Sequence, residues 1–170
     1  MSRIHLLAPL LICLSAMAAD PESDRIANKL VGAWRLVSIK GASPKIPLDF
    51  DRPSGLIVYT RSGWVSVQIS VKQDRRLFAK GAGQSSPAEA AVAFKEYFSY
   101  YGAYKVNAAA QTVTHQLVDS SYPDLRGVDN VRWFELQCED RIVLTPCEDG
   151  QGGVVDRKNA TYKLTWERIK

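Results

Sequence analysis

Three cysteines and two histidines in 170 residues leave little material for a metal or thiol redox centre. One member of each pair of chemistries, Cys13 and His5, sits in the N-terminal apolar region, so His115, Cys138 and Cys147 are what remains for the rest of the chain. A multi-histidine metal site is thereby excluded beyond that region, and no metal is expected. Glycine-rich phosphate loops, nucleophile elbows, zinc-ligand spacings and dinucleotide fingerprints are all missing, so no motif assigns a reaction or a cofactor. Clustered basic charge is missing too. The formal charge is +4 and the sequence pI about 9.0, but the longest basic run is Arg75-Arg76. Nucleic-acid readers concentrate cations on one face with interleaved aromatics, so no nucleic-acid partner is expected. Repeats and low-complexity tracts are likewise absent.

What is present is an ordinary globular composition, 46% hydrophobic and 24% charged, in a length suited to one core. The N-terminus carries the sharpest local pattern. Arg3 and His5 precede the apolar run from Leu6 to Leu14, and Ala16-Met17-Ala18 supplies the small-x-small site of a cleaved secretory leader. That run is too short for the roughly 20 residues of a spanning helix, and no later run approaches it, so stable membrane insertion is not expected. Ile12 stands where a lipoprotein leader needs a small residue before Cys13, which argues against a lipid anchor. The expected organisation is a leader over 1–18 and one domain over 19–170, in a secreted or periplasmic protein. Such a compartment favours pairing Cys138 with Cys147. Against pairing, Val131 to Cys138 and Arg141 to Pro146 read as a hairpin turning at Glu139-Asp140, which puts Cys138 opposite Arg141 and Cys147 opposite Arg132, ~20 Å apart along the ribbon. The bridge stays open.

Hydrophobic periodicity gives the elements. Pro21 to Val31 is a helical candidate capped by Asp20, with Ile26 and Leu30 on one face. Trp34 to Ile39 alternates as a strand. Gly55 to Thr60 and Trp64 to Ser70 form a hairpin around Arg61-Ser62-Gly63. Lys72 to Ser85 has the composition of a mobile lid. Ser86-Pro87-Ala88-Glu89 opens a second helix with a capping box, and Phe94, Tyr97, Phe98 and Tyr101 continue it at helical spacing to a stop at Gly102. Strands follow at Ala103 to Val106, Thr112 to Asp119, Val131 to Cys138, Arg141 to Thr145 and Ala160 to Ile169. About eight strands in consecutive order predict a mainly β fold, an antiparallel up-and-down barrel with one inserted amphipathic helix and a short N-terminal helix.

Alternation orients the strands. Tyr162, Leu164, Trp166 and Arg168 point inward, as do Val113, His115 and Leu117, and Arg132, Phe134, Leu136 and Cys138. Two ionisable groups, His115 and Arg132, therefore face the interior from adjacent strands. The candidate ligand-binding set is His115, Arg132, Tyr59, Trp64, Tyr104, Phe134 and Tyr162, with His115 the one candidate catalytic residue. A histidine beside a tyrosine can move a proton, and an arginine can hold a carboxylate, phenolate or enolate. The plainer reading of His115 and Arg132 is a pair of satisfied core polar groups.

Gly32-Ala33-Trp34 resembles the G-x-W that opens the first strand of lipocalins, and Arg168 resembles the arginine that packs across that tryptophan. The segments Leu30 to Ser38, Gly55 to Thr60, Tyr97 to Gly102 and Thr112 to His115 are similar to the bacterial and fungal lipocalin-like domain group. That resemblance implies a small calycin-like barrel with a central cavity, and a structural role for Trp34 with Arg168. Function is left between three readings: a binder of a small hydrophobic molecule with one polar end, a small cofactor-free cyclase or isomerase, and a filled barrel with a structural or interaction role.

Overall fold

The computed structural model describes residues 20–41, 52–147, 157, 160 and 162–170. The proposed leader lies outside them. Its first element is helix α1, Pro21–Leu30, followed by strands β1 (Gly32–Gly41), β2 (Ser54–Tyr59) and β3 (Trp64–Ser70), helix α2 (Pro87–Lys95), and strands β4 (Tyr97–Asn107), β5 (Thr112–Ser120), β6 (Asp129–Cys138), β7 (Arg141–Pro146) and β8 (Tyr162–Arg168). A 3-10 turn, Pro123–Leu125, precedes β6. Each strand pairs with the next, and β8 returns to β1, giving a closed antiparallel barrel in sequence order. Closure satisfies every strand edge within the sheet.

The period-2 pattern fills the bore. Trp34, Ile57, Tyr59, Val65, Val67, Val113, Ile142 and Trp166 are essentially fully buried. At the end where β1 starts and β8 finishes, α1 lies across the opening. Asp20 caps it by accepting from the Glu22 amide, and Ile26 and Leu30 face the core. The Ala108 amide donates to Ser23 Oγ at 2.9 Å, tying the helix to the turn after β4.

Arg168 locks this end. Its guanidinium carbon lies 4.0 Å from the Trp34 ring centroid, while Nη1 and Nη2 donate to the carbonyls of Val31 and Lys29 at 2.8 and 2.7 Å. The side chain thus serves carbonyls at the C-terminal end of α1, which a helix leaves unsatisfied. Trp34 Nε1 donates to Leu30 O at 2.8 Å. Gly32 is required between them: its φ is +131°, and a Cβ there would stand 2.8 Å from Arg168 Nη1.

Two expectations fail here. The second helix stops at Lys95, and Tyr97 to Gly102 belong to β4, where seven residues pair in register with β3 from Trp64↔Ala103 to Ser70↔Tyr97. The aromatic spacing fits a helix, but Phe98, Tyr100, Gly102 and Tyr104 also alternate, and pairing on both sides of the strand decides the matter. Gly102 is no helix stop. A Cβ there would lie 1.9 Å from the carbonyl oxygen of Gln116, where the β4–β5 register shifts between Tyr101 and Gly102.

The second correction concerns the β6–β7 hairpin. Cys138 does face Arg141, but the register slips between Leu136 and Cys138, so Pro146 rather than Cys147 lies opposite Arg132. Cys147 instead donates its amide to Val131 O. Cys138 is exposed, Cys147 is buried, and they are not joined by a disulfide.

The segment 71–86 joins β3 to α2, and the capping box of α2 reaches back into it. Glu89 accepts from the Ala79 and Ser86 amides and from the Ser86 hydroxyl. Those bonds, the Ala79 amide's first, hold its carboxyl down at about 2. Arg75 is half-buried: it donates to Ala93 O at 2.8 Å and stands over the Tyr97 ring at 5.4 Å.

Candidate functional site

The bore holds one polar row. His115, on β5 between the inward residues Val113 and Leu117, is fully buried. Its Nε2 lies 2.8 Å from the hydroxyl of Tyr59, and its Nδ1 lies 2.8 Å from the hydroxyl of Tyr100. Tyr100 comes from β4, adjacent to β5. Tyr59 comes from β2, three strands away around an eight-strand barrel, so the Tyr59–His115 bond crosses the bore.

Electrostatics keep this row neutral. Burial, with the positive charge of Arg132 adding to it, pushes His115 down to about 3. Burial pushes the Tyr100 phenol up to about 12 and the Tyr59 phenol well above its ordinary range, with Arg132 opposing both shifts. The two phenols stay protonated and the imidazole stays uncharged at neutral pH.

Arg132 sits opposite Val113 in the β5–β6 register, on the inward face, and is partly buried. Its charge acts on His115, Tyr59 and Tyr100 alike. Nη1 donates to Val131 O at 3.0 Å, and no carboxylate partner faces it among the described residues. Tyr162, inward on β8, is close enough to raise Tyr100 further. Tyr104 packs edge-on to Tyr59, with centroids 4.9 Å apart, and donates its hydroxyl proton to Thr60 O at 3.1 Å. Phe134 is buried on the inward face of β6.

The two ends of the bore differ. Around α1, Trp34, Tyr59 and Leu30 are sealed from solvent. Toward the opposite end, the inward-facing Ile39, Phe98, Arg132 and Tyr162 are only partly buried. A run of rings connects that end to the polar row: Phe94 of α2 meets Tyr122, Tyr122 meets Phe98, Phe98 meets Tyr100, and Tyr100 meets His115, all with centroids between 4.9 and 5.7 Å.

Of the residues singled out from the sequence, His115, Arg132, Tyr59, Tyr104, Phe134 and Tyr162 do face the interior. Trp64 does not: it precedes the inward Val65 and is 47% exposed on the outer face of β3. Tyr100 was missed. Its signal was the alternation Phe98, Tyr100, Gly102, Tyr104, hidden under the helical spacing of its neighbours.

Residues 31–169 match the lipocalin-like domain family. The chain belongs to that family. No match was found among curated proteins. Among solved structures, this lipocalin-like chain is similar to a de novo designed fluorescence-activating β-barrel at 10% identity and TM-score 0.39, covering 84% of this chain and 96% of that one. It is also similar to the structure of EF1p2_mFAP2b bound to DFHBI at 15% identity and TM-score 0.40, covering 86% and 99%. No described helix of this lipocalin-like domain is long and apolar enough to cross a membrane.

Proposed function

We propose that the protein is an exported lipocalin-like binder that holds a small, largely apolar molecule by one polar end inside the barrel. The observation that carries this reading is the Tyr59–His115–Tyr100 row with Arg132 and the buried Asn130, which pairs opposite His115, beside it: a compact polar cluster among apolar bore residues. Ligand sites of this kind combine apolar walls with a few fixed polar groups. Export rests on the leader pattern of residues 3–18, which lies outside the described structure.

The protonation states favour binding over the cyclase or isomerase reading. An imidazole held near 3 is a poor base at neutral pH, and phenols pushed upward are donors rather than bases. The row is suited to fixing an orientation.

Native mass spectrometry of the protein purified from the cells that make it tests the reading. A reproducible bound small molecule, lost on denaturation, is the expected result. Repeated recovery of ligand-free protein that also fails to brighten the neutral probe N-phenyl-1-naphthylamine would reject it.

A further inference from the structure

The polar row has a proton too many. A neutral imidazole offers one N–H and one bare nitrogen, and each ring nitrogen of His115 is bonded to a tyrosine hydroxyl. One tyrosine therefore donates to the imidazole and the other accepts from it. The accepting tyrosine keeps its own hydroxyl proton, and neither Tyr59 nor Tyr100 has a second partner among the described residues. Which phenol is left over depends on the tautomer; that one is left over does not.

Other interior groups point the same way. Arg132 brings five N–H donors and spends one on Val131 O. The indole Nε1 of Trp166, buried in the bore wall, has no acceptor either. On the acceptor side, no aspartate or glutamate occupies an inward strand position among the described residues: Asp119, Asp129, Glu135 and Glu167 all pair opposite outward-facing partners. Buried donors left without acceptors are costly, and the partly buried Arg132 has no anion beside it among the described residues.

Building on the binding reading above, we propose that the polar end of the ligand is an acidic oxygen carried as an oxyanion, held by Arg132 and by the spare phenolic proton of the Tyr59–His115–Tyr100 row. An oxyanion accepts several hydrogen bonds and neutralises Arg132, so it satisfies the spare donors and supplies the negative charge that no inward strand residue provides among the described residues. A ligand ending in an ammonium would meet the like charge of Arg132 and no carboxylate, with only neutral acceptors such as the amide of inward, buried Asn130 and the phenol oxygens to receive it. A phenol or enol and a carboxylic acid share this chemistry, and the test separates them.

Four probes are titrated into the folded protein at pH 8: 4-nitrophenol, 4-nitrobenzoate, the uncharged ether 4-nitroanisole, and N-phenyl-1-naphthylamine as a measure of apolar binding alone. The expected result is that at least one of the two anions binds about tenfold or more tighter than the ether. The one preferred identifies a phenolate or a carboxylate site. Bound nitrophenol should also keep its phenolate absorbance at pH values where the free probe is largely protonated. Arg132→Gln should abolish the preference while naphthylamine fluorescence persists, showing that the barrel is folded. Equal binding of ether and anions, or a preference that survives Arg132→Gln, overturns the oxyanion and leaves the binding reading standing. Failure of all four probes overturns both.

Discussion

The Arg168 guanidinium lies 4.0 Å from the Trp34 ring and donates at once to Val31 O and Lys29 O, so one side chain joins the last strand, the first strand and the end of α1. A charge placed over an indole is worth about 0.5–2 kcal/mol, and hydrogen bonds to a charged donor about 1.5–3 kcal/mol. Arg168→Ala should destabilise the barrel by about 2–3 kcal/mol in urea denaturation, allowing for its partial exposure. Arg168→Lys should recover little, because an ammonium cannot span two carbonyls while lying flat on the ring. Full recovery by lysine would show that charge alone matters.

His115 makes stability depend on pH in a defined direction. In the unfolded chain a histidine titrates near 6.5, whereas in the fold His115 is held down at about 3. Between those values the unfolded state binds the extra proton, so stability falls as pH drops and recovers as it rises. The expected slope is about 1.4 kcal/mol per pH unit once well below 6.5. It should be read between pH 6.5 and 5, above the range where ordinary carboxylates titrate. His115→Gln, which retains a donor and an acceptor, should flatten that slope. An unchanged slope in His115→Gln would place the titrating group elsewhere.

Gly102 leaves no room for even one carbon. Gly102→Ala puts Cβ against the Gln116 carbonyl, a backbone atom that cannot swing away. The β4–β5 pairing must break or shift, and a loss above about 4 kcal/mol is expected, in the range reserved for severe strain. Recovery of folded protein with wild-type melting would mean that the close approach is relieved elsewhere.

These three sites show where the sequence could and could not be read. Strand order and the inward faces of β5 and β8, and of β6 as far as Leu136, were legible because polar and apolar residues alternate cleanly there; Cys138, expected inward, is exposed because it lies beyond the slip. The Trp34–Arg168 pair was legible because both lie on such strands and match a known pattern. Tyr100 was not, since aromatic residues at 94, 97, 98 and 101 satisfy helical spacing and only pairing partners distant in sequence settle the conformation. The β6–β7 slip was also hidden: Gln137 looks like any outward polar residue, and its lack of a partner emerges only in the ladder.

Thiol reactivity offers a direct check on the hairpin. With both cysteines unbridged, a maleimide should label exposed Cys138 in the native protein and reach Cys147 only after denaturant is added. Peptide mass mapping distinguishes the sites. A Cys138–Cys147 crosslink, resistant to alkylation without reductant, would contradict the register.

Arg75 should matter to α2 and hardly to the barrel. The helix buries none of its side chains, and Arg75 fastens it through Ala93 O and the Tyr97 ring. Arg75→Ala should speed hydrogen exchange across residues 86–96 while leaving β5 to β8 protected. Uniform loss of protection would mean that α2 unfolds only with the whole domain.

The pairing of β1 with β8 sets the order in which the protein can be finished. Trp34 is made before Arg168, because β8 follows every other strand of the barrel in chain order yet pairs with β1. Until β8 is made, β1 and β7 each present an open edge. The barrel therefore cannot close strand by strand as it is made: closure waits for β8, and a product cut short before it is left with two adhesive borders and an unguarded tryptophan.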